Sequence, residues 1–193
     1  MATSRARERI LDAATRLFRE EGIHATSVDR VIAEAEVAPM TVYRHFSGGK
    51  DELVATTLER WSGRWLGWLR SEAARGGDDP RARLEGLWDA LEKWFAGEGF
   101  SGSYVDNAAS ELRAKPGHPA QAPVAAHRAA LRELLQDLAT AAGSPSPAGA
   151  AVALQTLIDG ATAVAVIDRQ PGAAASARAM AAAVLGQPAL AAR

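Results

Sequence analysis

The chain has 193 residues, of which 48% are hydrophobic and 23% charged, with a formal net charge of -1, four His and no Cys. A chain of this length forms one domain, or a small module joined to a larger one, and buries a core without disulfides or a structural metal. The absent cysteines exclude disulfide frameworks, Cys-ligated zinc, iron–sulfur clusters and thiol catalysis, and the near-zero charge confines any nucleic-acid binding to a local basic face.

The pattern predicts helix almost throughout. Ile10, Leu11, Ala14, Leu17 and Phe18 repeat at helical spacing, with Arg and Glu opposite, and Gly22 sits where a glycine ends such a helix. Thr26 and Ser27 precede Val28, Val31, Ile32 and Ala35, a capped second helix. Pro39 suits the first turn of a third, short helix over Met40 to Phe46, which Ser47, Gly48 and Gly49 break. Asp51 and Glu52 favour the start of a long helix reaching about Ala74. Gly76 to Pro80 is a loop. Helices follow around Leu84 to Phe95, Tyr104 to Arg113, Val124 to Ala142, Ala151 to Asp168 and Ala173 to Leu185, with Lys115 to Pro123 a proline-bearing loop. No run reads as a strand. The fold class expected is all-α. Asp12, Arg16 and Arg19 interrupt any export signal, so a cytoplasmic protein is expected. Ala150 to Ile167 has the length of a membrane span, but Gln155, Asp159 and Thr162 favour a buried helix.

The sharpest signal lies in the first 46 residues. The second and third helices are joined by a turn of about three to four residues, the layout of a helix-turn-helix. Thr41, Tyr43, Arg44 and His45 can all donate hydrogen bonds, while only Val42 and Phe46, four apart, are strong anchors. A short helix held from one side and presenting donors on the other suits a groove lined by phosphates and base edges. A solvated surface helix is the plainer alternative.

The run Ile10-Leu11-Asp12-Ala13-Ala14, with Leu17-Phe18, Gly22, Thr26-Ser27-Val28, Ile32-Ala33, Thr41 to Phe46, Lys50 and Leu53, resembles the N-terminal domain of the TetR family of transcriptional regulators. The resemblance spans about residues 8 to 54. It implies a homodimer on a near-palindromic double-stranded DNA operator, usually a repressor, released by a small effector in the C-terminal domain. It implies domains at 1–50 (DNA-binding) and 51–193 (effector-binding and dimerisation), the latter a helical bundle. By position, Tyr43 and Lys50 hold phosphates, and Thr26 or Ser27 caps the second helix beside the backbone. Met40, Thr41 and Arg44 face base edges, His45 reaches phosphate or base, and Arg30 is a lesser candidate. The chain departs from the family pattern in three places. Glu36 stands where a turn glycine is usual, Ala38 where a Ser or Thr cap is usual, and one extra glycine precedes Lys50. A non-glycine left-handed residue and a lost cap each cost about 1 kcal/mol. Residues 1–50 hold eight Lys or Arg and seven Asp or Glu, and Arg5, Arg7 and Arg9 suggest either an arm reaching the backbone or a solvated terminus.

A weaker resemblance, from Tyr104 through Glu111, His118-Pro119 and His127-Arg128, points to one subgroup of C-terminal domains of that family. Trp61, Trp65 and Trp68 share one helix face, as core or as the wall of an apolar effector pocket. The pocket candidates are Trp65, Trp88, Phe95, Phe100 and Tyr104, with Asn107, Glu111 and His127 as polar groups. Leu154, Leu157, Ile158, Ala161, Val164 and Ala165 form a stripe read either as core or, as the resemblance implies, as dimer interface. The spacing of His118, His127 and Glu111 matches no metal motif, and no cofactor is expected. No catalytic set stands out, which argues against an all-helical enzyme. The remaining alternative is a helical small-molecule-binding protein that has lost specific DNA recognition.

Overall fold

The computed structural model of the chain describes residues 5–170 and 172–186. Among the described residues every regular element is a helix. In chain order these are α1 (Arg5–Glu20), α2 (Val28–Ala35), α3 (Pro39–His45), α4 (Gly49–Ala74), α5 (Pro80–Phe95), α6 (Tyr104–Leu112), α7 (Gln121–Ala141), α8 (Pro147–Ile167) and α9 (Ala173–Leu185). The all-α expectation therefore holds. The boundaries follow local chemistry. The α1 helix stops ahead of Gly22, whose φ of 92° suits a residue without Cβ. Ser27, Asp79 and Ser103 cap α2, α5 and α6 by accepting from backbone N–H groups of their first turns.

Three helices begin well ahead of the pattern, among them α5, which opens at Pro80 within the expected loop and not near Leu84. The α7 helix starts at Gln121, ahead of Pro123, because a first-turn residue needs no N–H. For the same reason Pro147 opens α8, which was expected only from Ala151. Arg5, Arg7 and Arg9 lie inside α1, so they form no separate arm; residues 1–4 lie outside the described residues.

Two compact units divide the chain. One holds residues up to Arg64 together with Ser103–His127, and the other holds Trp65–Gly102 with the described residues from Arg128 onward. The core of the first is built by Ile10, Leu11, Leu17 and Phe18 of α1, Val31, Val42, Phe46, Leu53 and Leu58, closed by Tyr104, Val105 and Leu112 of α6. Full burial of each large apolar side chain contributes about 1.5–3 kcal/mol. The α6 helix thus completes the core of the N-terminal helices, which sequence order alone does not suggest.

In the second unit α9 packs on both α8 and α5, with Ala174, Ala177 and Ala181 buried. Small side chains permit that close approach. Among the described residues, only Pro147–Ile167 is long and apolar enough to cross a bilayer, with a mean hydropathy of 1.7. It carries buried Gln155, whose Oε1 accepts from Arg132 Nε at 3.1 Å, and Asp159, which pairs with Arg128 at 2.7 Å. Those partners fit a packed helix of this unit.

Candidate nucleic-acid interface

The α3 helix is fixed from one side only. Val42 and Phe46 are both fully buried, while Met40 is 76% and Tyr43 46% exposed. Arg44 is exposed as well, and Thr41 and His45 are half-buried. Arg7 lies 5.3 Å from the centre of the Phe46 ring, covering the anchor. Ala38 gives α3 no side-chain cap, and Pro39 takes the first turn, as the sequence indicates.

The turn before α3 carries the expected irregularity. Glu36 is left-handed, at φ 49° and ψ 51°, and the turn closes through Glu36 N–H to Ala33 O at 3.2 Å and Val37 N–H to Ile32 O at 3.4 Å. That bond pair is the Schellman arrangement, normally given to glycine. A feature absent from the sequence reading holds it. Arg9 of α1 donates to Ala35 O, and to Glu36 O at 2.6 Å, and its guanidinium lies 3.5 Å from the Glu36 carboxylate. One arginine fork thus ties the strained residue to α1 and draws its carboxylate toward Arg9. In the sequence Arg9 stands out only as one of three arginines near the N-terminus, just before Ile10.

The α2 candidates separate. Ser27 is the cap, accepting from Arg30 N–H at 3.1 Å. Thr26 is fully buried and its hydroxyl donates to Gly22 O at 2.8 Å, so it locks the turn and does not face solvent. Arg30 is exposed but paired with Glu21 at 3.4 Å and Glu34 at 3.8 Å. Arg16 also engages Glu34, and Arg60 of α4 engages Asp12 and Glu8 of α1. The acids of the first unit therefore absorb cations on its flanks.

The extra glycine before Lys50 is taken up by a turn in which Gly49 N–H bonds Phe46 O at 3.0 Å, with Gly49 at φ 64°. Glu52 accepts from Gly48 N–H at 2.7 Å. Lys50 is half-buried. Desolvation pushes its ammonium below the ordinary lysine range, the charge of Lys115 adds to the effect, and Asp51 and Glu111 oppose it.

The expected effector residues fall into different surroundings. In the second unit Trp65, Trp94 and Phe100 form a chain of ring contacts at 5.3 and 5.1 Å, with Phe95 5.3 Å from Phe100. Trp88 is buried and lines a cavity of about 630 Å³ with Leu84, Arg178 and Leu185. In the first unit Tyr104 shares a 2.9 Å hydrogen bond with Thr57, and burial pushes its phenol well above the usual range. His127 is buried with Nδ1 2.8 Å from Ser62 Oγ, and Asn107 is exposed. Glu111 is a correction. Its carboxylate accepts from Ile23 N–H at 3.1 Å and His24 N–H at 2.8 Å, so it is a strut between α6 and the α1–α2 turn. Among the described residues no group of three His, Asp or Glu is placed to hold a metal.

The α8 stripe divides between its two readings. Leu154, Ile158, Ala161 and Ala165 are buried within the protomer and belong to its core. Leu157 is half-buried, and Val164 is 37% exposed beside Val152, Val166 and Ile167. The outward apolar residues are thus Val164 of the stripe together with Val152, Val166 and Ile167 outside it.

Residues 10–57 match the family described as bacterial regulatory proteins, tetR family. The regulator LmrA of Bacillus subtilis is 42% identical over 53 residues, 28% of either chain. The repressor Rv3405c of Mycobacterium tuberculosis is 44% identical over 64 residues, 33% of this chain and 34% of that protein. The match thus covers about a third or less of either relative. Over the whole chain the likeness is structural. SCO4454, a TetR-family regulator from Streptomyces coelicolor, superposes with a TM-score of 0.83 at 30% identity, covering 93% of this chain and 94% of that one. Reduced NemR of Escherichia coli shares the fold, with a TM-score of 0.85 at 20% identity. With the anchored α3 helix, its turn and this full-length likeness in hand, the chain belongs to the TetR family and is a transcriptional regulator, not an enzyme.

Proposed function

We propose that the protein is a dimeric, ligand-responsive repressor that reads a near-palindromic operator through α3. The observation that carries this reading is the one-sided seating of α3, with Val42 and Phe46 buried and Met40, Tyr43 and Arg44 outward. Arg44, Met40 and Thr41 face base edges in the major groove, and Tyr43, Ser27, His45 and Lys50 contact phosphates. Residues 1–50 bind DNA and 51–193 bind the effector and dimerise. The pairing surface is the exposed apolar face of α8, with Val152, Val164 and Ile167, together with Met180 of α9. Two such chains set their α3 helices about 34–36 Å apart, one turn of duplex. An effector in the aromatic C-terminal region changes that spacing. A coupling of about 1–3 kcal/mol gives roughly 5–150-fold release.

The test is fluorescence anisotropy on a palindromic duplex taken from DNA flanking the gene. The wild type binds specifically, and Arg44→Ala with Tyr43→Phe loses most of the preference over random duplex. Equal, weak binding by both proteins at low salt contradicts the reading. Tryptophan fluorescence across a small-molecule panel finds the effector. A compound that quenches and also lowers operator affinity supports release, and quenching with unchanged affinity opposes it.

A further inference from the structure

The α6 helix runs against α4 in the opposite sense within the first unit. At its start the Tyr104 hydroxyl meets Thr57, and beyond its end His118 Nε2 lies 3.2 Å from Asp51 Oδ1. The chain therefore descends along α4 to the end that follows α3, and the loop between α6 and α7 lies level with Lys50. That loop is knit together. Lys115 N–H bonds Leu112 O at 2.9 Å, His118 N–H bonds Lys115 O at 3.2 Å, and Gln121 Nε2 donates to Lys115 O at 3.1 Å. Its backbone needs little further ordering to meet a ligand. The Lys115 side chain is exposed.

The neighbouring acids are already in use. His118 Nδ1 accepts from Ala120 N–H at 3.1 Å, which leaves the proton on Nε2 to be donated to Asp51. Glu111 is held by two backbone N–H groups. Asp51, beside Lys50, meets His118, three residues after Lys115, so Lys50 and Lys115 stand at the same corner of the first unit, and the charge of Lys115 is felt at Lys50. Like charges held together cost free energy, and an anion between them reverses that cost. We propose that Lys115 is a second phosphate contact beside Lys50, so that the α6–α7 loop grips the duplex backbone outside the helix-turn-helix. This rests on the DNA-binding reading above.

The experiment is a salt titration of duplex binding by the full chain. Lys115→Ala lowers affinity about three- to tenfold, equally on operator and random duplex, and reduces the slope of log affinity against log salt by about 0.9. Lys115→Arg keeps the wild-type slope, and Lys115→Glu loses more than Lys115→Ala. Thermal melting of these variants matches the wild type, because the side chain is exposed. Unchanged affinity in Lys115→Glu overturns the inference, as does a loss of affinity with an unchanged slope. If the wild type shows no salt-dependent binding at all, the DNA-binding reading falls with it. Wild-type binding that Lys115→Glu leaves intact overturns the Lys115 contact alone.

Discussion

The α3 and α8 helices sit at opposite extremes of legibility. The α3 helix has seven residues, is anchored by Val42 and by Phe46 just past its end, and apart from Met40 and Pro39 turns polar side chains outward, so one face is unambiguous. The α8 helix has 21 residues, two thirds of them Ala, Val, Leu or Ile, and these apolar residues lie on its inner and outer sides alike. The comparison teaches that a helix declares its faces through its polar residues. Where both sides are apolar, the sequence establishes a helix and leaves its orientation to packing.

Truncating an α3 anchor has the largest expected effect. Phe46→Ala costs about 3–5 kcal/mol, because it empties a fully buried ring site at the end of the helix. Chemical denaturation followed by circular dichroism measures it, and a loss under 1 kcal/mol would show that α3 is not seated on Phe46. The α8 helix supplies the matching contrast. Ile158→Ala costs about 2–5 kcal/mol, whereas Ile167→Asp, at a 77% exposed site, leaves the protomer's fold intact and shifts sedimentation from dimer to monomer. If Ile167→Asp remains a dimer, the exposed face is not the pairing surface.

A smaller effect sharpens the account of the turn. Arg9→Ala loses about 1 kcal/mol, since its fork is partly exposed. Glu36→Gly gains about 0.5–1 kcal/mol by relieving the left-handed residue. Combined, they lose less than the sum of the two single effects, because a glycine turn needs no latch, and a double-mutant cycle on melting midpoints measures the coupling. Strict additivity would show that Arg9 and Glu36 act independently. The smallest effect concerns pH. The free-protein ammonium of Lys50 is held low by desolvation, so it deprotonates before an ordinary lysine as pH rises. A phosphate favours the charged form, so binding takes up protons there and operator affinity falls with rising alkalinity. An affinity flat across that range in wild type but sloping in Lys50→Arg would contradict the assignment.

The N-terminal motif, the anchors Val42 and Phe46, the Ser27 cap and the strained Glu36 turn were all legible, because each depends on residues close in sequence. Arg9 and Glu111 were not, because their partners lie 26 to 88 residues away along the chain. Glu111 in particular carried the marks of a pocket carboxylate, and only the approach of α6 to the α1–α2 turn revealed its two N–H donors. Thr26 and Ser27 looked equivalent as caps until burial separated them.

The most direct test of the paired α3 helices is operator spacing. We expect an intact palindrome to bind tightly, and insertion of five base pairs between its half-sites to abolish tight binding, since half a turn carries the second site to the far side of the duplex. Equal affinity for the intact and inserted duplexes would contradict a rigid two-fold reader.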